Sequence, residues 1–237
     1  MSTVGEVIQR VQSIYSKGVQ SDDSRLTPMH IYSKALTVRS KLVIQRQNKN
    51  RKVSQWLYQT LDCVELIVAS INECPCLPPA GCKTYRSKYK IPKPLHGKMG
   101  DLIQSVTSLD GSIVYDRTSL KNKKYKKGNK YTAVKPEYYI HNDYLFITDK
   151  VGPKVITLVG LFDKPEEADS FQNYCENTED CVDCQDCTSI LDKEFLIEED
   201  LIDTLIQMCF EELVILFNQN KEDITNDTKD SNLNTTK

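Results

Sequence analysis

The stretch that organises this chain covers residues 63–95 and reads CVELIVASINECPCLPPAGCKTYRSKYKIPKPL. It holds four of the nine cysteines and five of the nine prolines. Its β-rich beginning predicts a strand over 64–71, and the cysteines and prolines that follow predict a tight turn and then a long extended arm. Proline fixes φ, removes a backbone donor and keeps the preceding residue extended, so these prolines stiffen the arm without adding a catalytic group. We therefore predict a shaped binding surface here and not an active site.

Helix signals lie on both sides of this stretch. Thr3 followed three residues later by Glu6 predicts a capping box for a first helix. Thr27 followed by Pro28 predicts the start of a second helix, because a capping hydroxyl and a proline at the first helical position favour that start. Apolar residues at helical spacing predict a last helix over 198–217.

The middle of the chain carries strand and turn signals. Residues 102–115 form two apolar runs around an Asp-Gly pair at 110–111, which is a strong hairpin signal. A second hairpin is predicted over 138–148, with its turn at the Asn-Asp pair 142–143, and a further strand over 154–162. We expect these runs to lie in one antiparallel sheet.

Together these signals predict an α+β fold, with a helical bundle from the N- and C-terminal helices, a central antiparallel β-rich insertion and extended arms. Hydrophobic residues make up 39% of the chain, which is enough for a core, and no stretch resembles a signal peptide or a membrane span. We expect a soluble protein.

The sequence is predicted to divide into four parts. They are the N-terminal bundle helices (1–55), the β-rich insertion with the arm and a lysine-rich loop (56–165), an acidic cysteine-rich link with the last bundle helix (166–217) and an extended tail (218–237).

Charge is distributed unevenly along the chain. Residues 1–135 hold 24 Lys and Arg against 9 Asp and Glu, whereas residues 136–237 hold 7 against 24. Either the two halves pack together and neutralise each other, or the basic part of one copy meets the acidic part of another, as in a head-to-tail ring.

The nine cysteines are an odd number in a long chain without an export signal, so we expect reduced thiols or a bound metal and not disulfides. Four closely spaced thiolates are enough for a tetrahedral zinc site. They lie among acidic residues, however, and do not form two separated pairs, so we rank packing thiols above zinc and predict no cofactor. The candidate zinc ligands are Cys175, Cys181, Cys184 and Cys187.

A run of lysines with interleaved tyrosines is the one feature that suits nucleic acid. Lysines neutralise phosphates without reading sequence, so such contact would be nonspecific and sensitive to salt. The other interpretation is a solvated loop, or a patch that meets an acidic partner. The run contains Lys121, Lys123, Lys124, Lys126, Lys127 and Lys130.

Catalytic motifs are absent from the sequence. His30, His96 and His141 lie in a helix start, the proline-rich arm and a hairpin turn, without a nucleophile at a recognisable spacing. The sequence contains no GxSxG motif, no phosphate-binding glycine loop and no HExxH motif. We therefore predict that the protein is not an enzyme.

Nine short motifs carry a resemblance to a known family. They are CVEL at 63–66, ECPCLPP at 73–79, GC at 81–82, RSK at 86–88, IPKP at 91–94, SVTSLDG at 105–111, PEYY at 136–139, GLFDKP at 160–165 and LIDTLI at 201–206. With these motifs the chain resembles virion structural proteins of crAss-like phages that infect Bacteroidales.

The resemblance implies a head-to-tail connector adaptor, or ring protein, similar to those of short-tailed phages. Such proteins form a dodecameric ring beneath the portal, and their C-terminal segments reach along it. The implied partners are the portal protein, other tail ring or hub proteins and further copies of the chain, with at most nonspecific contact to packaged double-stranded DNA and no membrane. The implied location is the neck or tail of the virion, and the host cytoplasm during assembly.

The alternative function, from another class, is a zinc-stabilised small nucleic-acid-binding protein of the infected cell.

For the adaptor function, we assign residues to two contacts. The predicted subunit-interface arm comprises Cys74, Pro75, Cys76, Pro78, Pro79, Arg86, Lys88, Pro92 and Pro94, and the predicted portal-docking tail comprises Asp223, Ile224, Asp227 and Leu233.

Overall fold

The computed structural model describes residues 2–16, 18, 26–49, 51–69, 84–119, 135–148, 152–171 and 189–218. The chain divides into two compact units, which we call the helical unit (Met1–Lys49 with Asp186–Lys237) and the sheet unit (Asn50–Gln185). The helices are α1 (Val4–Tyr15), α2 (Pro28–Asn48), α3 (Pro165–Asp169) and α4 (Glu199–Asn218), with 3-10 turns at Gln55–Leu57 and Ile190–Asp192. The strands are β1 (Gln59–Val68), β2 (Thr84–Ser87), β3 (His96–Gly97), β4 (Gly100–Asp101), β5 (Ile103–Ser108), β6 (Asp116–Arg117), β7 (Glu137–His141), β8 (Tyr144–Thr148) and β9 (Val155–Gly160). The predicted α+β class is confirmed.

The helices of the helical unit begin where local signals place them. The Thr3 side chain accepts a hydrogen bond from the Glu6 amide, and the Glu6 carboxylate accepts one from the Thr3 amide, each at 3.2 Å. This is the predicted capping box. Thr27 caps α2 by accepting a bond from the amide of His30, and Pro28 occupies the first turn.

One apolar cluster joins α1, α2, α4 and the segment that leads into α4. The N-terminal residues bond to the segment before α4: the Val4 amide donates to the Lys193 carbonyl at 2.9 Å, and the Phe195 amide donates to the Ser2 carbonyl at 3.0 Å. The buried members of the cluster are Val4, Val7, Ile8, Val11, Leu26, Ile31, Tyr32, Ala35, Val38, Leu42, Phe195, Ile197, Ile202, Leu205, Ile206, Cys209 and Leu213.

The sheet unit contains a seven-stranded sheet in the order β5-β9-β1-β2-β8-β7-β6. All neighbours are antiparallel except β6 and β7, which are parallel. The sheet is nearly closed, because the residues before β6 also bond to β5: Val114 bridges Thr107, and the Tyr115 amide donates to the Val106 carbonyl at 2.9 Å. A nearly closed sheet leaves little unpaired edge.

Both predicted hairpins are present. The turn after β5 has Gly111 at a φ of 71°, and the turn between β7 and β8 has Asn142 and Asp143 at φ values of 52° and 64°. The last predicted strand, β9, joins the same sheet but not beside β8, because it lies between β5 and β1. Local patterns predicted these strands, whereas their order depends on pairings distant in sequence.

The strand predicted over 64–71 begins earlier, at Gln59, and contains a bulge. Leu61 pairs with Leu158 but Val64 pairs with Ile156, so β1 holds one extra residue. Cys63 takes a positive φ of 55° at this point. The bulge shifts the alternation of the strand by one residue, which buries both Cys63 and Val64.

Cys63 is disulfide-bonded, whereas Cys209 is a buried free thiol. The expectation of reduced or metal-bound thiols is therefore wrong for Cys63. An odd number of cysteines excludes complete pairing of all of them, but it does not exclude a single bridge.

Candidate assembly surfaces

A small hairpin in the sheet unit projects an apolar side chain into solvent. Strands β3 and β4 pair only with each other, through His96 with Asp101 and Gly97 with Gly100, and residues 98 and 99 form the turn. Met99 at this turn is 91% exposed, the largest exposure among the large apolar side chains that the structure describes. We call residues 96–101 the Met99 hairpin.

Hydrogen bonds within the Met99 hairpin and from Arg117 outside it support its shape. Arg117 donates from Nη1 to the Asp101 carbonyl at 2.8 Å and from Nη2 to the Asp101 carboxylate at 2.9 Å. His96 lies 2.9 Å from the other oxygen of that carboxylate. At the base, the Leu102 amide donates to the Leu95 carbonyl at 2.7 Å, and both side chains are buried. Because an isolated two-stranded hairpin is marginally stable in water, these contacts hold the turn in shape.

The helical unit carries an open groove between α1 and α4, with a volume of about 450 Å³. Its apolar lining comes from Ile14, Ile206 and Phe210, and Ile14 is 47% exposed. Arg10 and Asp203 are among its polar residues. We call this surface the α1–α4 groove.

A second groove, of about 580 Å³, lies in the sheet unit beside the last part of the predicted arm. Tyr89, Ile91 and Pro92 line one part of it, and Glu167 and Phe171 line another. Tyr89 is partly exposed, so this groove presents both aromatic and charged groups.

The described part of the predicted arm is built into the sheet unit. Arg86 lies in β2, in the middle of the sheet, and its guanidinium stacks over the Tyr144 ring at 4.6 Å from the centroid. Lys88 lies 2.7 Å from Glu65, which holds the pKa of Lys88 above its usual value. Pro92 and Pro94 are buried within the unit. Residues 84–87 are therefore a sheet strand and not a free arm, because backbone pairing with β1 and β8 satisfies them.

Basic residues of α2 contact acidic residues of α4, and the residue just before α4, inside the helical unit. Arg46 contacts the Glu198 carboxylate at 2.5 Å and the Asp200 carboxylate at 2.6 Å, and Lys34 contacts Glu212 at 3.1 Å. These contacts join the basic and acidic parts of the sequence within one chain.

The charge count of each unit is nearly balanced. By composition the helical unit holds 12 Lys and Arg against 16 Asp and Glu, and the sheet unit holds 19 against 17. The strong asymmetry along the sequence therefore leaves formal charges of only −4 and +2 on the units.

The other predicted site residues lie outside the described residues. They are the interface residues Cys74, Pro75, Cys76, Pro78 and Pro79, the lysines at 121, 123, 124, 126, 127 and 130, the candidate zinc ligands at 175, 181, 184 and 187, and the tail residues Asp223, Ile224, Asp227 and Leu233. Neither the Met99 hairpin nor the α1–α4 groove has a composition that stands out in the sequence. The Gly-Lys-Met-Gly run at 97–100 carried a turn signal for the hairpin.

Within the described ranges, no group of three or more His, Cys, Asp and Glu side chains is placed to hold a metal ion. The clearest pKa shifts have structural causes. Burial raises the pKa of Cys209 to about 12, and hydrogen bonds from Ser108 and Ser112 lower the pKa of Asp110 to about 2. No helix in the described part of the chain has the length and apolar character needed to cross a membrane.

The described residues thus form an exposed hairpin, two open grooves and no metal cluster. A family model described as phage tail ring protein 2 matches residues 6–232. The chain therefore belongs to this family of phage tail ring proteins, as the resemblance predicted. Membership implies a structural protein of the phage tail that lies in the virion and assembles into ring oligomers with other virion proteins. No curated protein matches the chain.

Proposed function

We propose that the chain is a head-to-tail adaptor whose ring docks on the portal and joins it to the next tail component. Twelve copies surround a channel through which double-stranded DNA passes. The observation that carries this proposal is the family match over residues 6–232, which extends through both units and most of the C-terminal tail. A subunit in such a position needs surfaces for its neighbours in the ring and for the proteins above and below it.

We assign portal docking to the C-terminal tail, residues 218–237. Ile224 and Leu233 are the only apolar side chains in this tail, so it has little to bury by itself. A partner surface can supply the contacts that the tail lacks. In this proposal Asp223 and Asp227 add charge next to Ile224, and the portal supplies cations that pair with them.

The proline-rich arm and the lysine run have roles between subunits in the same proposal. A segment stiffened by proline loses less conformational entropy when it docks, so residues 74–79 suit a contact with a neighbouring copy. The lysines at 121–130 face an acidic partner or the DNA in the channel, where they contact phosphates without selecting sequence.

The test is reconstitution of the purified chain with purified portal protein at low and high salt. Light scattering after size exclusion and negative-stain electron microscopy should show rings that migrate with the portal. A chain that stays monomeric with portal at low salt, with no ring on the grid, overturns the proposal. Deleting residues 218–237 should leave the fold and the ring intact and weaken portal binding, and an unchanged affinity would remove the tail from the docking surface.

The family match favours this function over a zinc-stabilised nucleic-acid-binding protein. Metal analysis of the purified chain separates the two. Stoichiometric zinc that is lost in the double variant Cys181→Ser, Cys184→Ser would favour the alternative.

A further inference from the structure

We propose that the Met99 hairpin of one copy inserts into the α1–α4 groove of the next copy around the ring. This inference rests on the proposed ring assembly and names a contact that closes it. A ring of identical subunits uses a heterologous interface, in which two different surfaces of the chain meet. The hairpin lies in the sheet unit and the groove in the helical unit, so each copy carries both partners of the contact.

The hairpin has the features of an anchor and not of an incidental apolar residue. Single exposed apolar side chains are common on protein surfaces and need no explanation by themselves. Met99, however, stands on a turn whose flanking Asp101 is held by Arg117 at 2.8 and 2.9 Å and by His96 at 2.9 Å. A rigid support lowers the entropy lost on docking, and methionine adapts to irregular apolar pockets.

The groove has matching chemistry. Ile14, Ile206 and Phe210 provide an apolar lining for the methionine side chain, and a volume of about 450 Å³ is ample for one such side chain. Arg10 and Asp203 are both among the polar lining residues, so the groove offers one charge of each sign beside its apolar floor. The formal charges of −4 and +2 on the two units also favour contact between a helical unit and a sheet unit of different copies.

The first experiment compares Met99→Asp with Met29→Asp in the full-length chain. Both methionines are exposed, at 91% and 68%, but Met29 lies in the first turn of α2, where an added carboxylate suits the helix dipole. Met99→Asp should raise the protein concentration needed for ring formation at least about tenfold, as expected for loss of a central anchor, while Met29→Asp should leave it unchanged. Equal behaviour of the two variants overturns the proposed contact.

The groove is tested by Ile14→Asp and, in case that variant is unstable, by Asp203→Arg at an exposed position. Each should block ring formation when it is the only form present. An equimolar mixture of Met99→Asp and Ile14→Asp should give a heterodimer and no ring, because only one productive pairing remains. Full rings in the mixture, or no association at all, contradict the proposal.

A photo-crosslink locates the contact directly. Benzoylphenylalanine replaces Met99, and light and heavy isotope-labelled copies are mixed before illumination. Crosslinked peptides should join position 99 of one copy to α1 or α4 of a differently labelled copy. Crosslinks to other segments in rings that form normally overturn the contact but leave the proposed function standing. A wild-type chain that forms no ring, alone or with portal, overturns the proposed function and this contact with it.

Discussion

A side chain on Gly100 would collide with Arg117: a Cβ at Gly100 would stand 2.5 Å from Nη2 and 2.9 Å from Nη1 of the guanidinium. Gly100 also has a φ of 100°, where other residues are strained. The turn residue and the arginine that braces Asp101 therefore depend on each other. Gly100 directly follows Met99, so the same close approach shapes the turn that carries this exposed side chain.

Gly100→Ala should destabilise the chain by about 2 kcal/mol, because it adds backbone strain and displaces Arg117 from Asp101. Gly111→Ala is the matched control, since Gly111 also has a positive φ but no atom lies within 4 Å of its added Cβ. The control should lose about 1 kcal/mol from strain alone. Urea denaturation measures both values, and equal losses would contradict a brace by Arg117.

Arg46→Met should lower the free energy of unfolding by about 2 kcal/mol, because it removes a cation that contacts the carboxylate of Glu198, which is 4% exposed. Lys34→Met removes a similar contact between α2 and α4, but both Lys34 and Glu212 are about one third exposed. Water solvates that pair, so the control should lose only about 0.5 kcal/mol. Thermal or urea unfolding of the two variants checks the difference, and a larger loss for Lys34→Met would refute this assignment.

Asp110 should make a pH-dependent contribution to stability. Its pKa is lowered from 3.8 to about 2 because its carboxylate accepts bonds from Ser108 and Ser112. A lowered folded-state pKa favours the folded chain above about pH 4, and this contribution is lost as the pH falls towards 2. The stability difference between the wild type and Asp110→Asn should therefore shrink over that range. An NMR titration should place the carboxylate pKa below 3 and show it rising in Ser112→Ala; a normal value in the wild type would refute the turn geometry.

Cys63 and Cys209 should behave differently in peptide mapping at pH 8. Without reductant, the peptide containing Cys63 should appear disulfide-linked. Cys209 should be alkylated only after denaturation, because it is fully buried and burial raises its pKa to about 12, which leaves almost no thiolate. The raised pKa of Cys209 also contributes to the stability of the folded state below about pH 9, and this contribution is lost as the pH rises towards 12. Rapid alkylation of Cys209 in the native chain would contradict its position in the core.

Local patterns were sufficient for several elements. The capping hydroxyls of Thr3 and Thr27 act on amides within the next turn, so their sequence neighbours identify the helix starts. The Asp-Gly and Asn-Asp turns likewise depend on the φ values that those residues tolerate. Proline content alone does not distinguish a free arm from a packed segment, and Pro92 and Pro94 are buried in the sheet unit.

The candidate surfaces were less predictable than the elements. The lysine run and the cysteine clusters have conspicuous composition, whereas Met99 is one residue in a short polar segment. Arg117 contacts Asp101, two residues after Met99, and this contact across 16 residues of sequence has no local signal. Similarly, Ile14 and Phe210 are distant in the sequence and line one groove only because α1 and α4 pack together.

The sequence by itself therefore determined the α+β class, the helix starts, both hairpin turns and, through its motifs, the phage ring family. These properties depend on neighbouring residues or on short runs. Only the tertiary structure decided that β9 lies between β5 and β1, that β2 is an inner strand, and that the basic and acidic ends of the chain meet in one helical unit. The physical reason is that strand order and helix packing follow from burying apolar surface shared by distant segments, and no local pattern records which distant segment will share it.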